Sequence, residues 1–201
     1  MRYGMTNYRN LASKGGYWVG EAESETQIID EDGFFISRTE DMQMPLVQGK
    51  QGQTDKPPFD FTAHGFLFPQ ADATQILYLT AQLPHGWEEG SIVYPHIHYR
   101  QSASTIPVFK IDYKWYNVGD AVPTGYTTYP LSTPMIPYQS GTISQINNNA
   151  TGIDGTGKKV SSIMLIKLYR DDNVVTGTVI ADQFDIHILK DSWGSREEYV
   201  K

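Results

Sequence analysis

Two histidines separated by one residue, His96 and His98, lie in the stretch 92–100 (IVYPHIHYR). On an extended strand, residues i and i+2 point to the same side, so both imidazoles would address one point and are able to share a metal ion. His187 lies in a second strand-like stretch, 183–189 (QFDIHIL), on the side opposite Phe184, Ile186 and Ile188, and is the candidate third ligand. The competing expectation places all three histidines on the polar face of a sheet, where they hydrogen-bond, titrate or line an interface. The chain has no cysteine. Disulfides, thiolate catalysis and cysteine-ligated metal are therefore excluded, and no cofactor is expected.

Other residue patterns point less far. Gly152 to Lys159 (GIDGTGKK) has the glycines and lysine of a phosphate loop, but Lys159 stands where a Ser or Thr should hold magnesium, and a strand-like stretch follows where a helix is needed. A tight turn accounts for its glycines, which accept positive φ at low cost. Glu88, Glu89 and Asp112 are acids of the kind that cleave glycosidic bonds in pairs, but chain spacing does not measure their separation in space. No G-x-S-x-G elbow occurs, and Ser161-Ser162 lies in a strand candidate. Trp87, Trp115 and Trp193 could form an aromatic platform for a sugar or serve as packing anchors. No residue is assigned a catalytic role, and the chain is not expected to be an enzyme.

The elements that must position these residues read as strands. Along 75–83 (QILYLTAQL), Leu77, Leu79, Ala81 and Leu83 share an apolar face. Along 92–100, Val93, Pro95, Ile97 and Tyr99 oppose Tyr94, His96, His98 and Arg100, with Pro95 marking an edge or bulge. Along 108–117, Phe109, Ile111, Tyr113 and Trp115 alternate with Lys110, Asp112 and Lys114. Further candidates are 126–131, 142–146, 160–169, 174–180 and 183–189, and no amphipathic helix is apparent. Eighteen glycines, eleven prolines and thirteen tyrosines in 201 residues suit many turns and half-buried strands. Two packed antiparallel sheets bury the alternating faces most simply, so the predicted fold is an all-β sandwich of jelly-roll type.

The net charge of -7, from 16 basic and 23 acidic residues, argues against binding nucleic acid. No apolar run approaches the ~20 residues of a membrane-spanning helix. Strand candidates are unevenly spaced without aromatic girdles, so no membrane association is expected. The start, Met1-Arg2-Tyr3-Gly4, leads into polar sequence rather than a signal segment. The reading divides the chain into an N-terminal arm or peripheral extension (1–56), a sandwich core (57–190) and a short C-terminal tail (191–201). Tyr17, Trp18, Phe34, Phe35, Trp193 and Tyr199, aromatic residues of the two flanks, are the expected assembly contacts.

Three groups of stretches carry a resemblance. The first comprises Phe66 to Gln70 (FLFPQ), Gln82 to Ser91 (QLPHGWEEGS) and Tyr94 to Tyr99 (YPHIHY). The second comprises Tyr113 to Asp120 (YKWYNVGD) and Ile153 to Lys158 (IDGTGK). The third runs from Phe184-Asp185-Ile186-His187 to Gly194-Ser195-Arg196-Glu197-Glu198-Tyr199. Together they resemble a family of tailed-bacteriophage structural proteins over most of residues 57–201. The resemblance implies a β-sandwich subunit of a phage particle at the head-to-tail connector, a collar or tail accessory ring, or the capsid surface. It implies homo-oligomers, other virion proteins as partners, and location in the virion after assembly in the host cytoplasm. The alternative within the same setting is a module that binds a host-surface glycan or receptor. Gly90, five residues and then His96-Ile97-His98 also resemble the first half of the cupin metal motif. The glutamate that should follow, and the second motif with its later histidine, are missing.

Overall fold

The computed structural model describes residues 16–19, 27–30, 38–53, 56–69, 73–103, 105–134, 144–147, 151–171 and 177–191. Among them, runs of alternating apolar and polar residues become fourteen strands. These are β1 (Gly16–Val19), β2 (Gln27–Asp30), β3 (Arg38–Met44), β4 (Lys50–Gln51), β5 (Phe59–Asp60), β6 (Gly65–Phe68) and β7 (Leu77–Gln82), then β8 (Tyr94–Arg100), β9 (Phe109–Tyr116), β10 (Thr127–Leu131), β11 (Thr133–Pro134), β12 (Ser144–Asn147), β13 (Ile163–Arg170) and β14 (Val179–Lys190). A 3-10 turn, Leu46–Gln48, joins β3 to β4. Among the described residues, no helix is long and apolar enough to cross a membrane.

Among the described residues, β1 and β2 pair only with each other, and every pairing is antiparallel. A five-stranded sheet runs β10-β9-β13-β7-β4. A seven-stranded sheet runs β11-β12-β8-β14-β6-β5, with β3 also on β14. β14 organises the larger sheet. One of its sides pairs with β8, and the other pairs first with β6 through Val179 to Ala181 and then with β3 through Phe184 to Lys190. The molecule is therefore the predicted antiparallel two-sheet sandwich of jelly-roll type.

The inward faces follow the period of two. The five-stranded sheet contributes Leu77, Leu79, Ala81, Phe109, Ile111, Trp115, Met164, Ile166 and Leu168, and the seven-stranded sheet contributes Phe66, Phe68, Ile97, Tyr99, Phe184, Ile186 and Ile188. Phe68 and Phe109 meet edge to face across the sandwich at 5.4 Å. Each fully buried side chain of this kind stabilises by roughly 1.5–3 kcal/mol, so this interior dominates the fold.

Two expectations change. Residues 38–51, assigned above to the extension, belong to both sheets: β3 pairs with β14, β4 pairs with β7, and Met44 and Leu46 enter the core. Mostly polar sequence suffices there because an edge strand needs few inward side chains. Val179 and Ile180 of the stretch 174–180 are continuous with 183–189 in one strand, β14, with a register shift between Ala181 and Gln183, and Val174 to Thr176 lie outside the described residues. Pro95 pairs with β14 at Ile186, while among the described residues the pairing of β8 with β12 stops at His96 and resumes only as the Val93–Ile153 bridge, so the proline sits at a local break in pairing, in keeping with the expected edge or bulge. Among the expected assembly contacts, Tyr17 and Trp18 lie in β1, whose backbone alone is described. Phe34, Phe35, Trp193 and Tyr199 lie outside the described residues.

Candidate functional site

The outer face of the seven-stranded sheet gathers the histidines. His96 and His98 share one side of β8, opposite the core residues Ile97 and Tyr99. Strand pairing sets Asp185 directly across from His96, Gln183 across from His98 and Asp41 across from His187. Directly opposed residues project to the same face, so one cluster forms from β8, β14 and β3. The Nε2 atoms of His96 and His98 are 3.2 Å apart, and Asp185 Oδ2 lies 3.5 Å from the first and 3.1 Å from the second. Gln183 Nε2 donates to the other oxygen, Asp185 Oδ1, at 3.0 Å. His187 stands beside His96, with ring centroids 4.3 Å apart, and its Nε2 donates to Asp41 Oδ1 at 2.7 Å.

Although this face points away from the core, His96 is fully buried and Asp185 is 3% exposed. His96 Nδ1 has no hydrogen-bond partner among the described residues. Burial alone would raise the pKa of Asp185, but the hydrogen bonds from His96, His98 and Gln183 outweigh it and hold the carboxyl well below its ordinary range. It is therefore an anion near neutral pH. Burial, reinforced by the charge of His96, lowers the pKa of His187 and favours its neutral ring.

Sequence reasoning found all three histidines and missed both carboxylates. No acid follows His98 locally; the carboxylate beside the pair is that of Asp185, far along the chain. The local signal was Asp185-Ile186-His187, which places an acid and a histidine on one side of a strand. His187, expected as third ligand, pairs directly with Asp41, and Asp185 faces the His96/His98 pair.

The outer face of the five-stranded sheet carries a second arrangement. One row of paired residues crosses all five strands: Thr128, Asp112, Lys167, Tyr78 and Lys50. Tyr78 and Tyr126 are 40% and 41% exposed. Lys167 lies between them, opposite Tyr78 in register and with its Nζ 3.9 Å from the centre of the Tyr126 ring. Lys114 Nζ approaches the same ring at 4.5 Å. Asp112 accepts hydrogen bonds from Thr128 at 2.7 Å and Tyr169 at 3.1 Å, and Lys110 pairs with Asp171 at 2.5 Å. Among the described residues, Lys50, Lys114 and Lys167 have no carboxylate partner. The face combines aromatic rings, hydroxyls and cationic groups.

The remaining candidates have structural partners. Trp87 is fully buried, Trp115 is nearly so, and their rings lie 5.6 Å apart, so both are packing anchors. Trp193 lies outside the described residues. Glu89 accepts the backbone N–H of Val160, which spends one of the paired acids on a loop. In the glycine-rich loop, Asp154 accepts from the backbone and hydroxyl of Thr156, and the chain continues into β13 rather than a helix. Ser161 and His85 meet at 2.9 Å, and Ser161 has a φ of 61°. Its side chain belongs to a residue only 1% exposed, which denies a substrate carbonyl direct access.

No protein-family model matches the sequence, and no curated protein matches it. Solved structures similar to the chain include three at 10% identity. One contains the carbohydrate-binding and catalytic modules of Clostridium thermocellum endo-1,4-beta-D-xylanase 10B complexed with xylohexaose; 78% of this chain covers 27% of that one at a TM-score of 0.36. Another is a carbohydrate-binding module specific for non-crystalline cellulose, where 90% of this chain covers 88% at 0.31. A third is the enzymatically active domain of tailspike protein 4 of bacteriophage CBA120, where 78% covers 19% at 0.29. This chain spans about a quarter of the xylanase and a fifth of the tailspike chain. At such scores the similarities carry no argument about ligand or role.

Proposed function

We propose that the chain is a non-enzymatic, carbohydrate-binding β-sandwich module of a tailed-phage particle, and that it engages an acidic glycan through the outer face of its five-stranded sheet. The observation that carries this reading is the pair of exposed tyrosines, Tyr78 and Tyr126, flanking Lys167. A sugar ring stacks on an aromatic face while its hydroxyls bond neighbouring polar groups. Asp112 and Thr128 supply such groups in the same row. Lys50, Lys114 and Lys167 favour a saccharide bearing carboxylates in a chain whose net charge is -7. The phage setting rests on the motif stretches of residues 57–201. Titration calorimetry against acidic and neutral oligosaccharides tests the proposal. Saturable binding of an acidic oligosaccharide, weakened about tenfold or more by Tyr78→Ala and by Lys167→Ala, is the expected result. Absence of binding across a glycan array overturns it.

A second reading, an assembly subunit that pairs with other virion proteins or with copies of itself, is favoured by two strand edges. Among the described residues, β3 is paired only on its β14 side, and β7 is paired by β4 only at Leu77 and Tyr78. A cavity of about 610 Å³ lies between them, lined by Met42, Met44 and Thr80 among others. Open edges of this kind accept an added strand. Cryo-microscopy of the particle tests this reading, which fails if these edges face solvent in every copy.

A further inference from the structure

We infer that His96, His98 and Asp185 form a binding site for one first-row divalent transition-metal ion of the zinc class. The site lies on the opposite sheet from the proposed glycan face and is independent of that reading.

The first support is the spacing of the donor atoms. Nitrogen and oxygen ligands sit about 2.1 Å from such an ion, so two of them stand about 3.0 Å apart at a right angle and about 3.4 Å apart at the tetrahedral angle. The three edges of the His96–His98–Asp185 triangle measure 3.2, 3.1 and 3.5 Å. The neighbouring group Asp41, His96 and His187 also gathers ligand atoms within 4.8 Å. There, however, the 2.7 Å separation of His187 Nε2 and Asp41 Oδ1 is that of a direct hydrogen bond, shorter than an edge between two ligands. The structure thus favours Asp185 over His187 as the third ligand.

The second support is proton bookkeeping. Each Nε2 carries at most one proton, directed along one line in the ring plane. Three mutual contacts among two ring nitrogens and one carboxylate oxygen cannot all be satisfied hydrogen bonds. Protonating both nitrogens sets two donors against each other, and protonating one leaves a contact between bare acceptors. A cation at the centre satisfies all three atoms together.

The third support is burial. His96 is fully buried with Nδ1 unpartnered among the described residues, and Asp185 is 3% exposed at the same point. A buried carboxylate requires a compensating charge. Two imidazoles and one carboxylate suit zinc and its neighbours, whereas calcium and magnesium favour oxygen-rich sites. The ion would bridge β8 and β14 at the register pair His96–Asp185.

The test uses the full chain, stripped with chelator and titrated with Zn2+ alone by calorimetry, then with Co2+ followed by visible absorption. The expected result is one ion per chain, with binding weakened at least tenfold in His98→Ala and in Asp185→Asn and unchanged in His64→Asn. His98 is partly exposed, so its truncation should leave the fold intact, and circular dichroism checks this. X-ray absorption at the zinc edge should show two imidazole nitrogens and at least one oxygen at about 2.0–2.2 Å. The inference is overturned by absence of saturable uptake at millimolar metal, or by uptake unaffected in both His98→Ala and Asp185→Asn. It is overturned equally if His187→Ala abolishes binding while His98→Ala leaves it unchanged. Glycan binding by the metal-free chain reads the other proposal separately.

Discussion

Trp115 offers the sharpest test of whether the buried tryptophans are anchors rather than sugar platforms. Its Nε1–H donates to Ser162 Oγ at 2.9 Å, and Ser162 is fully buried. Ser162→Ala removes the acceptor and leaves an indole N–H without a partner in the interior. A buried unsatisfied donor costs about 1–3 kcal/mol. For a chain of this size each kcal/mol lowers Tm by about 2–4 °C, so a loss of about 2 kcal/mol lowers it by about 4–8 °C. Trp115→Phe removes the donor itself and opens space beside Trp87, 5.6 Å away, so its own cost includes lost packing. Once the donor is gone, Ser162→Ala no longer strands it, and the double variant should fall short of the sum of the singles by about 1 kcal/mol. Urea unfolding followed by far-ultraviolet circular dichroism, which does not depend on the altered fluorophore, measures all four corners of the cycle. Additivity within about 0.3 kcal/mol would show that the bond contributes nothing and refute the reasoning. All three variants should retain wild-type glycan affinity when folded.

Two further outcomes follow from local physics. Tyr129 and Tyr169 have pKa values pushed from 10.0 to about 12, first by burial and then by the neighbouring Tyr94 and Asp112 respectively. The folded state holds these protons to higher pH than the unfolded state does, so their contribution to stability is complete below about pH 10 and lost as pH rises toward about 12. Spectrophotometric titration near 295 nm should find at least two phenols ionising late, and ionisation of all tyrosines together near pH 10 in the folded chain would contradict this. Gly155→Ala should destabilise the loop before β13, because a Cβ there would meet the backbone oxygen of Ser91 at 2.2 Å. Overpacking against backbone costs about 1–3 kcal/mol, and an unchanged unfolding midpoint would refute the close approach.

The large features of the fold are legible in the sequence where alternation is strong. Leu77, Leu79 and Ala81 all face inward, and the opposed faces of β8 are those expected from IVYPHIHYR. The inward side of β3 carries Met42 and Met44 amid charged residues, too few apolar positions to stand out from a polar extension. Trp87 reads as part of a polar turn, PHGWEEG, yet is fully buried. A turn can lend one large side chain to a core without any periodic signal. For the histidine cluster, local spacing exposes the His96/His98 pair but not the carboxylate beside it. Asp185 reaches them through a strand pairing whose register depends on the whole of β14, including its shift between Ala181 and Gln183. The tyrosine–lysine face was hidden for the same reason: Thr128, Asp112, Lys167, Tyr78 and Lys50 come from five separate strands and meet only once the sheet is assembled.

The most direct measurement of the central claim is amide chemical-shift mapping of the full chain titrated with an acidic oligosaccharide. Shifts should concentrate on β7, β9 and β13, around Tyr78, Lys114 and Lys167 and extending to Tyr126, with the amides of β8 and β14 unmoved. Shifts centred on β8 and β14 or on the edge of β3, or no shifts at saturating oligosaccharide, would contradict it.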